Sequence, residues 1–195
     1  MSLQLPQPPA AALRAVRAAL DSPSAVRGPH TPALRSATGP LQPVHALPVH
    51  QLDASLPGPV PATATGPAPY ARHTGWRFLI RSGTEIIAAA ETLETPEGQV
   101  FSHFAEGPYP VSTVRALHQA ALTCTGSAAV YQPRLLCVPG HYMTALWLHP
   151  VFGPTEARDL LVPLAPAPCG VTAHRAYPAA ELMPLLTRGR SLITS

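Results

Sequence analysis

All eleven aromatic residues of this 195-residue chain lie between Tyr70 and Tyr177, while fourteen of its 26 prolines precede Tyr70. A core needs large apolar side chains, each contributing about 1.5–3 kcal/mol when fully buried. Residues 1–69 lack the largest of these, so on composition they do not offset their own ordering entropy. They are expected to form a proline/alanine-rich, largely extended and intrinsically disordered tail, polyproline-like near its prolines. Residues 70–195 are expected to form one compact domain that folds without that tail.

Two parts of the tail carry a pattern. In residues 9–20, Leu13, Val16 and Leu20 recur at helical spacing, with Arg14 and Arg17 off their stripe. A helix this short is marginal alone in water, so the three apolar residues are the expected partner-binding stripe, ordering on a larger assembly. Residues 47–56, LPVHQLDASL, alternate weakly enough to suggest a short edge strand.

Composition limits the function classes. All thirteen basic residues are arginine, lysine and asparagine are absent, and the formal charge is +3. This reads as a high-GC bacterial coding bias, and so small a charge gives no footprint for nucleic acid. Three unclustered cysteines do not form a disulfide framework, which points to a reducing, cytoplasmic setting. An arginine- and alanine-rich start is also the composition of an organelle transit peptide, the alternative localisation. No run approaches the roughly 18 apolar residues of a membrane span.

Beyond Tyr70 the pattern is richer. Trp76, Phe78 and Ile80 alternate with Arg77, Leu79 and Arg81, as in a strand with one strongly apolar face. A turn at Ser82-Gly83, a partner strand over residues 84–93, a second turn at residues 95–98 and a strand over 99–105 complete an antiparallel meander. A helix capped by Ser112 or Thr113 runs to about Thr123. Strands over residues 131–138, 141–148 and 159–164 follow. A last helix begins at Pro178, with Pro184 inside it and Gly189 at its end. Grouped strands favour α+β, in the order βββ-α-βββ-α, with an antiparallel sheet covered by helices on one face.

Chemistry-bearing residues are scattered. With Pro139-Gly140 as a two-residue turn, Cys137 and His141 point to opposite faces and make no nucleophile pair. His141 and His149 share a face but lie about 26 Å apart along one strand, too far to ligate one metal. Glu91 and Glu94 read as solvated charges. His103, Glu106 and His118 flank a strand–helix junction and are the candidate catalytic or ligand-binding group. No metal-ligand spacing, phosphate loop or nucleophile elbow occurs, so neither metal nor cofactor is expected. The leading expectation is a non-catalytic protein-interaction domain, docked by its tail to a protein partner in a larger bacterial assembly or self-associated, away from membrane and nucleic acid. The alternative is a small enzyme or ligand-binding protein using His103, Glu106 and His118.

Overall fold

The computed structural model describes residues 3–53 and 66–188. Residues 54–56 of the expected edge strand and Gly189 lie outside the described residues. The fold is α+β, with five α-helices and a large mixed sheet among the described residues. The helices are α1 (Ala10–Leu20), α2 (Pro23–Val26), α3 (Pro32–Ser36), α4 (Pro108–Thr123) and α5 (Ala179–Arg188). The strands are β1 (Leu41–Leu52), β2 (Ala71–Ser82), β3 (Glu85–Thr95), β4 (Gly98–Ala105), β5 (Val130–Val138), β6 (Met143–Phe152), β7 (Leu160–Pro163) and β8 (Tyr177–Pro178). Their hydrogen-bonded order is β4-β3-β2-β1-β5-β6-β7-β8.

The extended, disordered tail is the main correction. Three helices and β1 precede the expected βββ-α-βββ-α series, and β8 adds a strand near its end. β1 has a strand neighbour on each side, so it is interior to the sheet rather than a short edge strand. The chain forms two compact units that cross the expected boundary at residue 69. One comprises Leu5–Val49 and Thr74–Ser112; the other comprises Met1–Gln4, His50–His73 and Thr113–Ser195.

In the first unit, β2, β3 and β4 form the expected antiparallel meander. Trp76, Phe78 and Ile80 are buried with Ala88, Ala90 and Phe104, and the apolar side of α1 (Ala12, Val16, Ala19) completes this core. Alanines on both surfaces let helix and sheet approach closely. At Gly75 a Cβ would lie 1.9 Å from the Thr92 carbonyl oxygen, so only glycine allows the two strands to meet there. α3 follows a buried Thr31, and its first turn is capped from a distance by Glu106.

In the second unit, β5, β6, β7 and β8 pair antiparallel in succession. Leu3 adds a parallel bridge to Tyr131. Leu136, Val138, Met143, Ala145, Trp147 and Leu161 share one sheet face, packed against Leu182, Met183 and Leu186 of α5. Pro184 falls inside α5, as the sequence required. β5 and β6 are joined by four residues, Pro139 to Tyr142, with Tyr142 left-handed at φ 47°. The expected two-residue turn is therefore replaced by a wider loop, the commoner course where a type II turn would splay the strands. Among the described residues no helix is long and apolar enough to cross a membrane.

Candidate functional site

The expected partner-binding stripe is not free. Val16 is completely buried, and Leu13 and Leu20 are partly buried against the core of their own unit. The stripe exists at the predicted spacing, but the surface it binds belongs to the same chain.

His103, Glu106 and His118 are likewise occupied or dispersed. Both carboxylate oxygens of Glu106 accept hydrogen bonds, at 2.9 Å each, from the amides of Ala33 and Leu34. These are orphan donors of the α3 N-terminus, so Glu106 acts as a helix cap supplied from across the unit. His103 is exposed beside Ser102 Oγ, 3.0 Å from its Nδ1, and its Nε2 stands 4.0 Å from Glu91. Glu91 is not the solvated charge expected: Arg77 donates to it through Nε and Nη2, at 2.9 and 2.6 Å. His118 is exposed on the part of α4 assigned to the other unit.

Cys137 pairs with Thr144 across β5 and β6, Sγ to Oγ1 3.9 Å. His141 sits in the loop rather than on β6. Because successive residues alternate, Cys137 and His149 face opposite sides of the sheet.

The polar constellation that does assemble was missed, and it centres on His149. Continuing the register of β6 on β7 outward from Leu148 and Leu160 brings His149 opposite Asp159. The Asp159 Oδ1 accepts from His149 Nδ1 at 2.8 Å and from Trp147 Nε1 at 2.5 Å. Gly66 presses on the same carboxylate, since a Cβ there would meet Oδ2 at 1.8 Å. On β5, Gln132 lies opposite His149 and Arg134 opposite Trp147. The Arg134 guanidinium stands 4.9 Å over the Trp147 ring and donates from Nε to Gln132. Burial pulls its pKa below the usual arginine value, against the opposing charge of Asp159. His50 meets Trp147 edge-on, and His73 meets His50, with ring centroids 5.2 Å apart in each pair.

Asp159 fixes the orientation of the His149 ring. Nδ1 must carry a proton to donate to the carboxylate, which turns Nε2 away from Asp159. The sequence signal for this arrangement was the hairpin: Gly153-Pro154 lies midway between His149 and Asp159. Among the described residues, no three His, Cys, Asp or Glu side chains gather as a metal-binding group.

A second surface is set by topology. Among the described residues β4 ends the strand order, so one of its edges has no strand neighbour there. Its sequence, GQVFSHFA, contains no Asp, Glu, Lys or Arg. Val100 and its β3 partner Leu93 are both more than two-fifths exposed. A register shift against Glu91 and Thr92 leaves Ser102 as a bulge, which confines the regular edge to Gly98 through Phe101. Comparison of the chain with family models, with curated proteins and with solved structures returned no match to any of them.

Proposed function

We propose that the chain is a non-catalytic, cytoplasmic protein-interaction domain of a larger bacterial assembly, and that it docks through β4 rather than through its N-terminal helix. The observation that supports this reading is the place of β4 at the end of the strand order, beside the exposed Leu93–Val100 pair. Natural edges are usually blunted by lysine, proline or inward-pointing charge. Between Gly98 and Phe101 this edge has none of them. The partner is an extended segment of another protein that adds a strand, with an apolar side chain over Val100.

Val100→Lys tests this reading, with Leu122→Lys on the exposed side of α4 as the control. Affinity capture by the full chain should recover a partner that Val100→Lys loses and Leu122→Lys retains. A partner held equally by all three proteins contradicts docking at this edge. A concentration-dependent dimer abolished by Val100→Lys would assign the edge to a second copy instead.

A further inference from the structure

We propose that Arg134 and His149 form a binding site for a small oxyanion, a carboxylate or phosphate group, on the sheet face that also carries Trp147. This site is separate from the β4 edge and does not rest on the interaction reading.

The two donors converge by register. Arg134 and His149 are diagonal neighbours on β5 and β6, on one face. Diagonal neighbours place their Cβ atoms about 7–8 Å apart or less, within reach of a ligand that bonds both side chains. Each donor is also held from behind. Gln132 takes the Arg134 Nε proton, and the Trp147 ring lies beneath the guanidinium. Among the described residues, Nη1 and Nη2 reach no acceptor. Those two nitrogens are the fork that recognises carboxylate and phosphate oxygens. A half-buried guanidinium whose fork meets no acceptor among the described residues is poorly compensated for lost hydration; burial lowers its pKa, and the charge of Asp159 opposes that shift.

Asp159 serves His149 in the same way. It engages Nδ1 and leaves Nε2, on a side chain 28 % exposed, to donate to a ligand in the imidazolium form. Asp159 also accepts from the Trp147 indole N–H, so one carboxylate oxygen orients the imidazole and the indole together. An anion therefore meets the Arg134 guanidinium and, on a doubly protonated ring, the His149 Nε2–H, over the Trp147 ring.

The test is a titration of the 15N-labelled full chain, followed by NMR at the Trp147 indole N–H. Inorganic phosphate is added in one arm and acetate in another, with chloride at matched ionic strength as the reference. We expect a saturable shift with at least one of the two anions. Binding should weaken about ten-fold or more in Arg134→Gln and in His149→Gln, as loss of a charge-assisted hydrogen bond implies. Arg158→Gln, at an exposed arginine, should leave it unchanged. Phosphate alone acting assigns the site to phosphate groups, and acetate alone assigns it to carboxylates. If Arg134→Gln fails to fold, His149→Gln decides. The proposal is overturned if neither anion gives a saturable shift at tens of millimolar, if chloride reproduces the shift, or if binding survives in folded His149→Gln.

Discussion

Asp159 receives two hydrogen bonds on one oxygen, and its carboxylate lies directly against Gly66. Gly66→Ala must displace either the loop or the carboxylate. Its expected cost is about 1–3 kcal/mol, the range for forcing atoms into a packed site, measured by denaturant unfolding. The Trp147 indole signal should move in the same protein. The cysteines give a second check. Burial pushes the Cys124 thiol above its usual pKa, so less of it is thiolate at any pH below that value, and Cys169 is exposed. Under native, mildly alkaline conditions iodoacetamide should modify Cys169 first, with Cys124 reacting only as the protein unfolds; equal rates would contradict the burial of α4 around Cys124. At this scale the sequence was only partly legible. Cys137 and His141 were expected on opposite faces of one hairpin, but His141 lies in the loop after Val138; that loop shifts the register by two residues, so parity is kept and it is His149 that faces away from Cys137. His149 and Asp159 are each visible as strand residues, but their meeting depends on the β6–β7 register across the Gly153-Pro154 turn, which alternation alone does not set.

The elements were read well where the period was strong. The meander, α1 and the proline-containing α5 fall where alternation or helical spacing put them. α4 begins five or six residues earlier than the Ser112 or Thr113 cap suggested, because Pro108 and Pro110 are tolerated in a first turn where amide donors are unpaired anyway. The use of α1 is what periodicity left open: an apolar stripe says that something covers it, not what. Burial of Val16 against its own unit predicts that Val16→Ala lowers stability by about 1–3 kcal/mol. Replacing Leu13 and Leu20 with serine should also lower the melting temperature. An unchanged melting curve for all three would restore the free docking helix. Glu106→Ala should cost about 1–2 kcal/mol through the uncapped α3 amides, and Glu106→Gln should recover part of that loss in the same unfolding measurement.

At the scale of the whole molecule, the proline-rich third belongs to the fold. Composition hid this because proline cannot donate to a strand ladder and ordinarily marks an edge. β1 contains Pro43 and Pro48 and still has two strand neighbours, with His45 between them left-handed at φ 46°. Leu47, Val49 and Leu52 are buried along it, so aliphatic residues take the place of the missing aromatics. Removing residues 1–69 should therefore leave a chain without cooperative unfolding, rather than a domain melting within a few degrees of the full protein. The most direct measurement is hydrogen exchange of the intact chain, read on peptides covering residues 41–52. An interior strand should be protected about as strongly as the β6 peptides, because both then open only with global unfolding. Exchange of residues 41–52 at the rate of an unstructured chain, with β6 still protected, would show that the N-terminal third is a tail after all.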